Sequence, residues 1–407
     1  MWNSEKRFQN QNNTRKIEGE STMIAIINAE LVMIDHLIPD AVIFIEDGKI
    51  AGYGEMRNTS IPKDCEIIDA EGLYVGPGLV DIHCHAGDGV RFEEEDPIRA
   101  AKAHIKTGTT SVLATLGARL QKNQYFDACE RIRQAMKQPE GENIAGIYSE
   151  GPYLNPQYGS LSHLNPWREG VKSEDYETII SASADLVRVW ALAPEREGIL
   201  SFVQAAKKAN PEVKFAVGHS EASPEQIEAL IPYGLCIGVH HTNATGDLPK
   251  YRECRGVCVD ETVNYNDNIY AELISDSFGV HVAPYMQRLI RKIKGDKKII
   301  LITDQTAHNI KNPEGYEHIT DLNFTYTADG EVDISGSKLT LNQACRNYMK
   351  HTGASIVDAF RVASYNPAKV VGLTDRGEIR EGLRADLIIT DQKMNVRTVI
   401  LNGKVVC

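Results

Sequence analysis

The chain has 407 residues, 42% hydrophobic and 25% charged, the balance of a globular protein rather than a disordered or fibrous one. Its formal net charge of −12 discourages nucleic acid or an anionic membrane as partner, because both are held by clustered Lys and Arg. No apolar run approaches the ~20 residues of a membrane span. The 8 cysteines are scattered without a C-x-x-C, which points to free thiols in a reducing compartment. The expectation is a cytoplasmic protein.

In chain order, residues 1–22 are polar throughout and read as a disordered leader or a cloning remnant. From Met23, "MIAIINAELVMIDHLIPDAVIFIEDGKIAGYG" alternates β-branched and apolar residues around turn signals such as Asp47-Gly48, a run of short antiparallel strands. The other end, "GLRADLIITDQKMNVRTVILNGKVVC", has the same texture with a hairpin turn at Asn402-Gly403. Between them, apolar runs alternate with helical patterns: 78–83, 110–115, 144–149, 186–191, 213–218, 235–240, 270–275 and 298–303. The segment 97–108, "PIRAAKAHIKTG", is one such helix and ends at Gly108. Eight runs predict an α/β fold, a (β/α)8 TIM-type barrel over 76–377. Residues 23–75 plus 378–407 would form a small β-sandwich domain built from both chain ends.

Polar residues fall at matching ends of these runs. The first ends in His83 and His85, the third is followed by Glu150, the fifth by His219 and the seventh by Asp276. The sixth ends in His240, and the eighth is followed by Asp304. In a barrel, the C-terminal strand ends form one rim. Side chains on a strand alternate faces, so His83 and His85 share a side while Cys84 points away and packs as a small apolar residue. Taken singly, each residue has a plain alternative: a hydrogen-bonded strand-end His, Asp304 as a helix N-cap, Glu150 as a loop acid. His83, His85, Glu150, His219, His240 and Asp304 together suit a divalent cation, Zn2+ first, with Fe2+, Mn2+ or Co2+ as alternatives. His36, His104 and His241 are read as structural.

These residues, in this order, resemble the amidohydrolase superfamily and, within it, the N-acetylglucosamine-6-phosphate deacetylase family. The resemblance spans nearly everything from Met23 onward. It is carried by "GPGLVDIHCHAG", "SEGPYLNP", "VGHSEAS", "HHTNAT", "GVHVAP", "LITDQT" and "GSKLTLNQACRNY", then "ASYNPAKVVGL" and "GEIREGLRADLII". The resemblance implies a metal-dependent hydrolase that deacetylates an amino sugar phosphate. Glu150, His219 and His240 would hold the principal ion, and His83 and His85 a second one bridged through Glu150. Asp304 would be the catalytic acid–base, and His163, one loop position out of register, would meet the reacting carbonyl. Asn243, Ala244 and His281 would bind substrate. Arg252 or Arg255 would reach the phosphate of the neighbouring subunit of a homodimer. The chain departs from the family around Asn243-Ala244, where Thr242 and Thr245 stand. The alternatives are a relative acting on the N-acetylgalactosamine-6-phosphate epimer and a catalytically inactive binding relative. The superfamily members that bridge two metals with a carboxylated lysine do not match, because Glu150 occupies the position after the third strand.

Overall fold

The structure, a computed structural model, describes residues 23–407 apart from 95, 247–249, 255 and 308–309. The expected leader at 1–22 and Arg255 lie outside the described residues. All eight apolar runs are parallel strands of one sheet: Leu79–Cys84, Thr109–Gly117, Ile144–Glu150, Val187–Leu192, Lys214–Val217, Leu235–Gly238, Tyr270–Ile274 and Ile299–Ile302. Each pairs with the next in order. The ring closes where Asp304 N–H donates to the His83 carbonyl at 2.9 Å, and His85 and Ala86 N–H donate to Gln305 O at 2.8 and 2.9 Å. The strands read as continuous apolar runs because helices cover the outside while side chains fill the inside.

A helix follows each strand. The first, Pro97–Ile105, starts at Asp96, whose Oδ1 accepts from Ile98 N–H and Arg99 N–H at 3.0 and 3.2 Å, with Pro97 in the first turn. Its apolar positions Ala100, Ala101 and Ile105 are buried against the barrel. The eighth helix, Leu341–Thr352, is delayed by an antiparallel hairpin, Leu322–Tyr326 with Val332–Ser337. This insertion, unmarked by any pattern in the apolar runs, supplies Asp333, Ile334, Ser335 and Gly336 to one wall of a cleft at the barrel mouth.

The chain ends share a second sheet of eight strands. Leu387–Thr390 from the C-terminal end pairs with Tyr74–Pro77 from the N-terminal end, joining the two halves. The pairing is not all antiparallel: Ile24–Val32 runs parallel to both Glu66–Asp69 and Tyr74–Pro77, because the hairpin Leu37–Glu55 intervenes before the chain returns. The edge strand Lys49–Glu55 curls back to the segment that leads into Leu387–Thr390. Ala385 N–H donates to Gly48 O at 2.8 Å and Ile50 N–H to Leu383 O at 2.9 Å, so the sheet wraps around its own core of Ile26, Leu31, Ile43, Val75, Leu387 and Ile389. Ile388, between two members of that core, faces the other way and packs with the barrel, as a period of two requires. Gly76 lies so close to Phe360 that a β-carbon would sit 2.4 Å from its ring, which fixes glycine at this junction.

Candidate active site

The barrel mouth gathers the strand-end residues around one carboxylate. Glu150 Oε1 lies 3.0 Å from His219 Nε2, 3.3 Å from His240 Nε2 and 3.6 Å from His83 Nε2. Its Oε2 lies 3.2 Å from His85 Nε2. Asp304 Oδ1 completes the cluster, 3.4 Å from His85 Nε2 and 3.8 Å from His83 Nε2. All six expected residues thus meet as two adjoining triads, His83/His85/Asp304 and Glu150/His219/His240.

Local backbone explains the convergence. His83 and His85 are two apart on one strand and point the same way, while Cys84 faces out of the ring with its Sγ 3.7 Å from Leu113 O. His219, His240 and Asp304 each leave their strand in the left-handed region, at φ 48°, 25° and 47°. That turn swings each side chain over the mouth. Asp304 is buttressed from the hairpin: Ser337 N–H donates to its carbonyl at 2.9 Å. A β-carbon on Gly336 would lie 2.4 Å from that oxygen. The Gly336-Ser337 pair is therefore the support on which the acid rests.

The donor set fits a divalent cation. His219 Nε2 and His240 Nε2 lie 2.9 Å apart, both aimed at Glu150 Oε1. Among the described residues, the buried His83 Nε2 has no hydrogen-bond partner in the protein. Imidazoles and carboxylates in this proportion suit Zn2+ and its neighbours in the first transition row. The electrostatics agree. Burial opposes ionisation of Glu150, yet hydrogen bonds from His219, His240 and His85 hold it well below the usual carboxylate range. Burial likewise opposes charge on His83 and His85. Glu272 beside the first, and Asp304 and Glu150 beside the second, outweigh it and raise each to about 9. The cluster's carboxylates thus favour positive charge at its centre, as a cation site requires. A second close group, Asp81, Cys84 and His104, does not compete. Its atoms are spent on Thr303 Oγ1 at 2.6 Å, Leu113 O at 3.7 Å and Ala86 O at 2.9 Å.

The cluster floors a cleft of about 550 Å³, within the range of small-molecule sites. Asn243, Ala244 and His281 line it. His281 is set by Asp276, which accepts from its backbone N–H at 2.8 Å and faces its Nδ1 at 3.2 Å, leaving Nε2 buried and without a partner among the described residues. Asn243 spends its own backbone N–H on His240 O at 3.0 Å. His163 lies on the 3-10 turn Ser162–Leu164 with its side chain exposed, while its neighbours Leu161, Ser162 and Asn165 line the cleft. Arg252, whose expected reach is toward a neighbouring subunit, is exposed and outside the lining of this chain's own cleft. The guanidinium groups that do line it are Arg91 and Arg119, which meet Glu93 Oε1 at 3.3 and 3.2 Å. Sequence reasoning also passed over Glu272, fully buried beneath His83.

The profile of the amidohydrolase family matches residues 74–406. The chain belongs to the amidohydrolase family. It is similar to the N-acetylglucosamine-6-phosphate deacetylase of Lysinibacillus sphaericus, 27% identical over 385 residues, covering 89% of this chain and 92% of the relative. It is 28% identical over 377 residues to the N-acetylgalactosamine-6-phosphate deacetylase of Escherichia coli O157:H7, covering 88% and 93%. Among solved structures it superposes on the Pasteurella multocida N-acetylglucosamine-6-phosphate deacetylase with a TM-score of 0.81 at 23% identity, covering 95% and 100% of the two chains. A mutant of the Mycobacterium smegmatis deacetylase in complex with N-acetyl-D-glucosamine-6-phosphate gives 0.79 at 26% identity, covering 94% and 99%. The barrel is thus that of a metal-dependent hydrolase acting on an amide bond.

Proposed function

We propose that this chain removes the acetyl group from an N-acetylated amino sugar phosphate, N-acetylglucosamine-6-phosphate before others, giving acetate and the free amino sugar phosphate. The observation that carries the proposal is Glu150 faced by four imidazoles, with Asp304 3.4 Å from His85, on the floor of a cleft that Asn243, Ala244 and His281 also line. Glu150, His219 and His240 would hold one divalent ion, Zn2+ by preference, and His83 and His85 a second, with Glu150 between. A bound ion would supply Lewis acidity toward the acetyl carbonyl and an acidified water at neutral pH.

The chain's own part is proton transfer. Asp304, held ionised by His85 and His83 against the opposing effect of burial, is ready to accept a proton. It takes one from the attacking water as oxygen bonds to the acetyl carbon. It then passes that proton to the sugar nitrogen as the C–N bond breaks, because an amine leaves poorly unless protonated. Arg91 and Arg119 already share Glu93, so their charge toward an anionic substrate is partly spent.

The galactosamine epimer is the second reading, supported by the 28% identical relative named for it. A cytoplasmic homodimer is part of the proposal. Tyr285, Leu289 and Ile293 form an exposed apolar stripe on the helix Pro284–Lys294, next to exposed Phe278 and to Val280, which borders the cleft. A second copy would cover that stripe. The deciding assay measures amine release by zinc-replete protein from both 6-phosphate epimers and both unphosphorylated sugars. The 6-phosphates should react best. Release from none of the four would sink the proposal.

A further inference from the structure

Glu272 sits in the middle of the seventh barrel strand, between Ala271 and Leu273, and is wholly buried. A carboxylate there is costly unless it is paired. Its Oε2 faces two groups at once: His83 Nδ1 at 3.2 Å and the backbone N–H of His240 at 3.1 Å. These belong to different triads of the mouth, reached from the first and sixth strands.

We propose that Glu272 is the positioning residue of the metal centre, fixing the His83 tautomer and the His240 backbone together through one carboxylate oxygen. The inference rests on the cluster being a metal site. With a cation in the cluster the imidazole is neutral and carries one N–H, and a carboxylate at Nδ1 keeps the proton on that nitrogen. Nε2 is then left as a lone pair, and it is this atom that points at Glu150 and Asp304. Tyr148 stacks on the same ring with centroids 4.5 Å apart at 26°, so the imidazole is held in plane as well as in proton state. His240 needs its anchor for another reason. Its φ of 25° is sparsely populated for a residue with a side chain, and the N–H bond to Glu272 pins that conformation. Glu272 thus touches neither substrate nor reacting atoms. It acts through two ligands, as carboxylates behind metal-binding histidines do.

The test compares wild type with Glu272→Gln and Glu272→Leu, using His83→Asn to assign the ring signals. Zinc affinity is measured by competition with a chromophoric chelator, bound metal by elemental analysis, and the His83 tautomer by nitrogen-15 shifts. Affinity should fall about 10–100-fold in Glu272→Leu, with Glu272→Gln between it and wild type, and the His83 ring should lose its fixed Nδ1–H form. A packing role alone would lower the melting temperature of the metal-free protein and leave affinity and tautomer unchanged; that result overturns the proposal. Wild type that binds no divalent ion would instead remove the metal reading beneath it. If neither variant folds, Glu272→Asp carries the comparison, since it keeps the charge but withdraws it by one methylene.

Discussion

In the small sheet, left-handed backbone occupies hairpin turns: Asp47 and Gly48 at φ 51° and 75°, Asn402 and Gly403 at 50° and 77°. At the barrel mouth it occupies His219, His240, Thr242, Ala244 and Asp304, at φ 48°, 25°, 75°, 53° and 47°. The first set are residues that enter this region at little cost and match the twist of a two-residue hairpin. Most of the second set are not. A side chain there costs roughly 1–2 kcal/mol per residue, and nothing about a loop requires it. The sheet uses the conformation to reverse direction. The mouth uses it to aim side chains, and holds the strain because the surrounding barrel is over-determined.

The sharpest way to separate aim from chemistry is Asp304→Asn. Asparagine tolerates the left-handed region as aspartate does, so the backbone and the Ser337 bond to its carbonyl should persist. Proton transfer should not. Amide hydrolysis is expected to fall about 10²–10⁴-fold, with metal content and melting temperature near wild type. Retention of activity would remove Asp304 from its role, and loss of fold would mean that its carboxylate, rather than its backbone, holds the rim together.

Below the mouth, the first barrel helix carries His104, buried, with its Nε2 2.9 Å from Ala86 O, one residue past the His83/His85 pair. Burial, only partly countered by that carbonyl, lowers its pKa to about 4. The unfolded chain, with an ordinary value near ~6.5, therefore binds the proton first as pH falls. Stability attributable to this group is full above ~6.5 and drains away toward 4, by about 3 kcal/mol in all. His104→Gln keeps a donor for Ala86 O and cannot titrate. Urea unfolding between pH 6.5 and 4 should show a shallower loss in the variant, and an unchanged slope would contradict the buried neutral imidazole.

The sequence made the fold legible because burial writes itself locally. Each barrel strand is a continuous apolar run, and all eight were found within about two residues of their ends. Six polar residues at their ends converge as their positions implied. What escaped was whatever depends on a partner far along the chain. Glu272 is a lone acid inside "YAELIS", and its meaning lies in His83, 189 residues earlier. The 322–337 hairpin reads as any hairpin until Gly336 is seen against Asp304. Which residue of 161–165 faces the cleft is decided by a 3-10 turn three residues long, and no periodicity reports it.

On the turn side of the comparison, Gly48→Ala should be expensive. Its β-carbon would lie 2.7 Å from Asn402 Oδ1 and 3.0 Å from Asn402 O, at a φ of 75°. The two hairpins touch at this point, so relief at one displaces the other. A loss of about 2 kcal/mol is expected, the left-handed cost plus the clash, read as a lower midpoint in thermal unfolding without change in zinc affinity.

Ala244→Gly tests the mouth from the opposite direction. Ala244 lies in the turn that follows His240 and lines the cleft, at a φ of 53° that glycine adopts freely. If strain is stored there, glycine releases about 1 kcal/mol of it in the folded state, offset in part by the greater freedom of the unfolded chain. The melting temperature should hold or rise slightly. The turn also shapes the cleft wall, and a looser turn should raise KM while leaving kcat within a factor of a few. A clear fall in stability would mean that the Ala244 methyl group packs more favourably than its backbone is strained, and the contrast between the two regions would then rest on His219, His240 and Asp304 alone.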